Sequence, residues 1–93
     1  MQYMVLFTRN PDKAIPPDLG AAEFEAVRDL YADGLIRQIW LRGDVGGACA
    51  IVEGSSDVEV SRRVNALPLV HAGILQPPMI VALKPYAGFG PRS

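Results

Sequence analysis

The sequence is short of several residue types, and each shortage excludes a class of protein. Cys49 is the only cysteine and His71 the only histidine among 93 residues, which excludes an intramolecular disulfide, a cysteine cluster and a histidine-rich metal site. The formal net charge is −1 with both signs interspersed. The lack of a basic stripe argues against nucleic acid as a partner. We therefore expect no metal site and no nucleic-acid partner.

Long apolar runs are also missing. The run over residues 3–7 is too short for a membrane span and lacks the flanks of a signal peptide, so we expect a cytoplasmic protein that does not enter a membrane. What the chain does contain is an apolar fraction of 49%, which predicts a compact fold. Its length suits one domain over residues 1–93.

The residue pattern predicts elements in the order β-α-β-β-α-β. Gly34 is placed to stop the first helix, Ser56 to Glu59 has the form of a capping box, and Pro68 ends the second helix. Gly43-Asp44 is predicted to form a tight hairpin turn. The predicted strands are 3–8, 36–42, 46–53 and 79–83, the helices are 18–33 and 56–67, and 84–93 is a tail rich in glycine and proline.

This order predicts an α+β protein with the split ferredoxin-like arrangement: an antiparallel four-stranded sheet with both helices on one face. The first, third and fourth predicted strands are apolar on both faces. An antiparallel sheet with one face in water should instead alternate with polar residues. A second copy of the chain is the simplest cover for the other face, so we expect a homodimer or a larger even assembly.

Glu23 is the most informative residue, because it is a carboxylate placed where a core residue should be. At about 100° per residue it projects near the middle of the apolar arc of the first helix, whereas Glu25, Asp29 and Asp33 lie on the opposite side. A carboxylate turned towards apolar packing must find a partner, lie along a pocket or hold its proton. The alternative is a glutamate at the edge of the surface that reaches outward to water.

Several short motifs together resemble the muconolactone isomerase family, within the dimeric α+β barrels. The resemblance rests on Gly34, on Arg37 and Trp40 in the strand that follows, on Leu67-Pro68-Leu69, and on the Lys84-Pro85 step after an apolar strand. It implies a small cofactor-independent enzyme that removes a proton beside a carbonyl and returns it elsewhere. Counted back from Gly34, a glutamate implicated in that transfer in the family corresponds to Glu23.

Further residues are candidates for the same site. His71 has an unperturbed pKa that suits proton relay, and its alternative is a solvated loop histidine. Arg37 or Arg42 could hold a carboxylate or an enolate, and the alternative for each is an ion pair with Glu23, Glu53 or Asp44. Trp40 would form a wall of the pocket, or pack over small neighbours in a core. Tyr31, on the same helical arc as Glu23, completes the predicted substrate-binding residues.

The chain departs from the family at the third strand. Its Gly46-Gly47-Ala48-Cys49-Ala50 run stands where the lactone isomerases carry aromatic and polar residues, which implies a wider pocket for a different small molecule. Two other functions are considered. One is a cofactor-free monooxygenase, as performed by some dimeric α+β barrels. The other is a non-catalytic ligand-binding or assembly module, in which Glu23 merely pairs with an arginine.

Overall fold

A computed structural model of the chain describes residues 1–88. Residues 89–93 of the predicted tail lie outside the described residues. The elements are β1 Gln2–Thr8, α1 Pro17–Ala32, β2 Ile36–Leu41, β3 Gly47–Glu53, α2 Asp57–Asn65, α3 Pro68–His71 and β4 Met79–Ala82. The strands form one antiparallel sheet in the order β2-β3-β1-β4. This is the predicted ferredoxin-like α+β arrangement.

The inner face of the sheet packs against the helices and forms the core. Tyr3, Val5 and Phe7, at alternate positions of β1, are almost completely buried on this face. Val60 and Val64 of α2 are fully buried, and burial of each contributes about 1.5–3 kcal/mol to stability. The remaining core residues are Leu35, Ile36, Ala50, Val52, Leu67, Leu69, Ile74 and Leu75.

The outer face of the sheet is apolar as well, as the sequence predicts. The strand register places Leu6 beside Cys49 and Met79, and Cys49 beside Trp40. Trp40 and Met79 are 53% and 58% exposed. Met4, Ile51 and Val81 belong to the same face, with Gln38 beside Ile51 and with Gln2, Thr8 and Glu53 at its ends. No helix within residues 1–88 lies over them.

The helix ends follow from local chemistry. Pro17 is the first residue of α1, where its missing N–H costs nothing, and Gly34 follows the helix with φ +83°. At α2 the Ser56 side chain accepts a hydrogen bond from the Glu59 N–H at 3.1 Å. The Glu59 carboxylate in turn accepts from the N–H and hydroxyl of Ser55. The capping box is therefore present, with its return bond one residue earlier than predicted.

One local prediction is wrong. Residues 43–46 form a four-residue loop closed by a hydrogen bond from the Arg42 N–H to the Gly47 carbonyl (3.0 Å), so Gly43-Asp44 is not a two-residue turn. The positive φ that a glycine-first turn needs falls at Gly47 and not at Gly43. The second helix ends before Pro68, as predicted, and Pro68 also opens the short helix α3, which was not predicted; proline is well suited to a first helical position.

No helix in residues 1–88 is long and apolar enough to cross a membrane.

The conformation of Gly47 generates a stability prediction. Its φ is +140°, and an added Cβ would overlap the Phe7 carbonyl oxygen and lie 2.9 Å from the Phe7 carbonyl carbon. We expect Gly47→Ala to lower the free energy of unfolding by about 1–3 kcal/mol, measured by urea denaturation. Gly43→Ala is the matched control, because nothing lies within 4 Å of its added Cβ and its φ is not positive. Equal stability of the two variants would contradict this account of the loop.

Candidate active site around Glu23

Glu23 belongs to α1, and its side chain reaches α3. Its Oε1 accepts a hydrogen bond from the Leu69 N–H at 3.1 Å, and the side chain is half-buried. It forms no ion pair with any residue in 1–88, so the arginine partner of the non-catalytic alternative is not found among the described residues. Helix α1 itself contributes no fully buried residue, which leaves its inner side only partly shielded from solvent.

The second carboxylate oxygen of Glu23 is accessible. Among the described residues, Oε2 accepts no hydrogen bond, and no buried side-chain oxygen lacks a partner. Oε2 is therefore not buried. One oxygen is held by the backbone of α3 and the other remains open to a solvent or substrate proton.

Burial raises the pKa of Glu23 above its ordinary value of 4.5. The hydrogen bond from Leu69 acts in the opposite direction, because it stabilises the ionised form, but its effect is the smaller one. A raised pKa makes the carboxylate a stronger base once it is ionised. Glu23 thus combines a fixed position, an open oxygen and an increased affinity for a proton.

A groove of about 260 Å³ opens between α1 and β2. Val27 and Tyr31 line it from α1, and they follow Glu23 by one and two turns on the same side of the helix. The rise of an α-helix puts the nearer of them about 6 Å along the axis from Glu23. Glu23 does not itself line the groove, and Arg28, Ile36, Arg37, Gln38 and Ile39 complete its walls.

The structure brings together Tyr31 and Arg37 of the predicted substrate-binding residues. Arg37 is the extra residue of a β-bulge, because Ile36 and Gln38 pair with the consecutive residues Val52 and Ile51. This bulge re-aims the strand where it meets α1. Arg37 forms no ion pair within residues 1–88. A cation and a phenol therefore stand at the walls of one apolar groove.

Trp40 and His71 lie elsewhere. Trp40 is on the outer face of the sheet, paired with Cys49, and so faces away from the helices and Glu23. His71 is the last residue of α3, exposed, and two residues beyond the Leu69 that holds Glu23. It is a helix-terminal residue and not the loop residue predicted, because α3 was not predicted.

Arg42 forms an ion pair with Asp44, which is the predicted alternative to a substrate-binding role. Its Nε and Nη2 donate to the two oxygens of Asp44 at 2.9 and 2.7 Å, and its Nη1 donates to the Thr8 hydroxyl at 2.8 Å. These bonds raise the pKa of Arg42, and the hydrogen bonds from its guanidinium hold the pKa of Asp44 well below its usual range. The side chain of Arg42 therefore braces the β2–β3 loop, away from the groove.

A second concavity, of about 550 Å³, lies at the end of the sheet formed by this loop. The sequence reasoning did not single out its polar residues Thr8, Arg9 and Gln76. The one signal was the Gly46-Gly47 pair, whose small size implied extra space. Within residues 1–88 no group of three or more histidine, cysteine, aspartate or glutamate side chains is arranged to hold a metal ion.

The environment of Glu23 predicts a pH-dependent stability. Since its pKa is raised on folding, the stability that it contributes is complete below about pH 4 and is lost as the pH rises through the folded-state pKa. Glu23→Gln keeps a carbonyl for the Leu69 N–H and cannot ionise. We expect the free energy of unfolding of the variant, relative to the wild type, to increase between about pH 4 and pH 7, measured by urea denaturation.

The control for this measurement is Glu25→Gln on the same helix. Glu25 is exposed and pairs with Arg28 at 3.0 Å, so its replacement should change stability by no more than about 0.5 kcal/mol at either pH. A difference between wild type and Glu23→Gln that stays constant with pH would show that burial does not perturb the ionisation of Glu23.

No protein-family model and no curated protein matches this sequence. Two solved structures have similar folds. Muconolactone isomerase has a TM-score of 0.79 at 18% identity, covering 100% of this chain and 98% of its own. The second is the 5-chloro-2-hydroxyhydroquinone dehydrochlorinase of Burkholderia phenoliruptrix, solved with 2,5-dihydroxybenzoquinone. It has a TM-score of 0.75 at 21% identity, and the alignment covers 90% of this chain and 94% of the dehydrochlorinase chain. At these identities the likeness shows the fold alone, and at that level it confirms the resemblance: the chain has the ferredoxin-like fold of muconolactone isomerase.

Proposed function

We propose that this protein is a small cofactor-independent enzyme that transfers a proton on a carbonyl-bearing ring compound, with Glu23 as the general base. One observation carries the proposal: Glu23 is a half-buried carboxylate with a raised pKa, no cationic partner in residues 1–88, and one oxygen open to a substrate. The fold supports it, because the two similar structures are an isomerase and a dehydrochlorinase.

The first step removes a proton from a carbon beside the carbonyl. Glu23 Oε2 takes the proton, and the C–H electron pair moves through the carbon framework to the carbonyl oxygen, giving an enolate. Isomerisation follows if the proton is returned to a different carbon. Elimination follows if the enolate electrons return and expel a leaving group such as chloride. The same base can therefore serve either outcome.

The groove between α1 and β2 supplies what the enolate needs. Val27, Ile36 and Ile39 give the groove an apolar lining beside Arg37, and apolar surroundings strengthen an electrostatic contact. Arg37 can stabilise the negative oxygen, and the Tyr31 hydroxyl can donate a hydrogen bond to it. His71 is the candidate for returning the proton, since α3 carries both this histidine and the backbone N–H that holds Glu23.

The proposal includes a second copy of the chain packed on the outer face of the sheet. That face presents apolar side chains from all four strands, and those of Trp40 and Met79 are more than half exposed in one chain. Soluble monomers rarely leave such a continuous apolar surface uncovered. Two identical faces packed together remove both surfaces from water.

We expect the wild type to have the mass of a dimer or a larger even assembly, measured by multi-angle light scattering at micromolar concentration. Ile51→Lys places a charge in the middle of the outer face and should shift the mass towards the monomer, or unfold the chain if protomers are not stable alone. Val58→Lys is the matched control, because Val58 is 73% exposed on α2, away from the sheet. A folded monomeric wild type would contradict the proposal.

The catalytic role of Glu23 is tested by Glu23→Gln. With muconolactone as first substrate, we expect kcat to fall by about 10²–10⁴ while KM changes little, because the general base is lost but the shape is kept. Substrate loss would be measured by absorbance. Wild-type kcat/KM should rise with pH through one ionisation above 4.5, as Glu23 loses its proton, and the variant should lack this step.

Two controls make this assay decisive. Glu25→Gln should leave turnover unchanged, and His71→Ala should cost less than Glu23→Gln, because water can replace an exposed proton relay. Oxygen uptake measured in parallel would identify the monooxygenase alternative. Equal turnover per folded molecule in wild type and Glu23→Gln would refute the catalytic role of this carboxylate.

A further inference from the structure

The loop-end cavity is a second concave site, which we define by its lining residues. It measures about 550 Å³ and lies where β1 ends, beside the β2–β3 loop and the segment that leads into β4. Neither Glu23 nor any residue of the α1–β2 groove contributes to it. Its lining residues are Thr8, Arg9, Pro11, Val45, Gly46 and Gln76.

Backbone hydrogen bonds hold three walls of the cavity in place. The Arg9 N–H donates to the Gly46 carbonyl at 2.8 Å, and the Gln76 N–H donates to the Thr8 carbonyl at 2.8 Å. The two-point contact between Arg42 and Asp44 braces the loop from behind. A ligand would therefore enter a largely preformed site and would order little of the chain on binding.

Gly46 lets the Arg9 side chain pack closely against the loop. A Cβ added at Gly46 would lie 3.1 Å from Cβ and 3.3 Å from Cδ of Arg9. The alkyl part of the Arg9 side chain therefore lies over the space that this glycine leaves. Its guanidinium is exposed and lies beside the Lys13 carbonyl.

The polar side chains of the lining offer hydrogen-bond donors. The Thr8 hydroxyl oxygen accepts from Arg42 Nη1 at 2.8 Å, so its own hydrogen is free to point to another acceptor. Arg9 donates one bond, at 3.2 Å, to the neutral carbonyl of Lys13 and forms no ion pair within residues 1–88. The Gln76 amide adds further donors.

The charges around the cavity favour an anion. Asp44 is the nearest acid of the loop, and Arg42 neutralises it through two short hydrogen bonds. The loop that carries Arg9 also carries Lys13 and one acid, the exposed Asp12, and neither of these two lines the cavity. Pro11 and the half-exposed Val45 supply apolar surface next to these donors.

We propose that the loop-end cavity binds a small organic carboxylate, with Arg9 and Thr8 on the carboxylate and with Pro11 and Val45 against its apolar part. The guanidinium offers two parallel N–H donors, which match the two oxygens of a carboxylate. This site does not depend on the proposed reaction at Glu23, since the two share no residue.

Benzoate is the probe for this site. Titration of the full chain with sodium benzoate, followed by backbone amide NMR, should shift the signals of Arg9, Gly46 and Gln76 in a saturable manner. Arg9→Gln should weaken binding at least about tenfold, because one charge-assisted pair is lost. Arg62→Gln, an exposed arginine on α2, is the matched control and should bind benzoate like the wild type.

Two further ligands and one further variant complete the test. Benzamide, which keeps the ring and lacks the charge, should bind much more weakly than benzoate, and acetate should do so as well because it cannot reach the apolar walls. Arg9→Lys keeps the charge, loses the two-point geometry, and should lie between wild type and Arg9→Gln. The proposal is overturned if millimolar benzoate leaves these amides unshifted, if Arg9→Gln binds as tightly as Arg62→Gln, or if acetate binds as tightly as benzoate.

Discussion

The helices of this protein cover only one face of its sheet, and this constraint organises the rest of the molecule. The inner face forms the core, with Tyr3, Val5 and Phe7 of the central strand β1 buried beneath α2 and its neighbours. The outer face keeps its apolar side chains in contact with solvent in one chain. Helix α1 packs so lightly that none of its residues is fully buried, which leaves a groove along its border with β2. The surfaces left uncovered are the outer face of the sheet and the groove between α1 and β2.

Elements with a strong local signal could be predicted from the sequence. The apolar strand segments, Gly34 at the end of the first helix and the capping box at the start of the second predicted the right order of elements, and helical periodicity alone identified Glu23 as an anomalous carboxylate. The periodicity was less reliable for Tyr31, which was placed on the apolar arc but is 66% exposed, because α1 buries none of its residues fully.

What sequence reasoning missed depends on contacts between distant residues. The bond from Leu69 to Glu23 joins positions that are far apart in the chain, and it depends on α3, a single turn too short for periodicity to reveal. The bulge at Arg37 is visible only in the register with β3. The reach of Arg42 to Thr8 likewise requires the two strand ends to be neighbours. No local pattern encodes these contacts, because each exists only after the sheet has formed.

The strand order also has a consequence for how the chain folds. Tyr3 pairs with Val52 on one side and with Ala82 on the other, so the central strand needs partners from the middle and from the far end of the described chain. The entropy of closing both long loops must be overcome before these pairings can stabilise the sheet. During synthesis β1 is made before β4, and until β4 is made one hydrogen-bonding edge of β1 has no partner. In this interval the exposed, apolar strand is most vulnerable to pairing with the wrong chain.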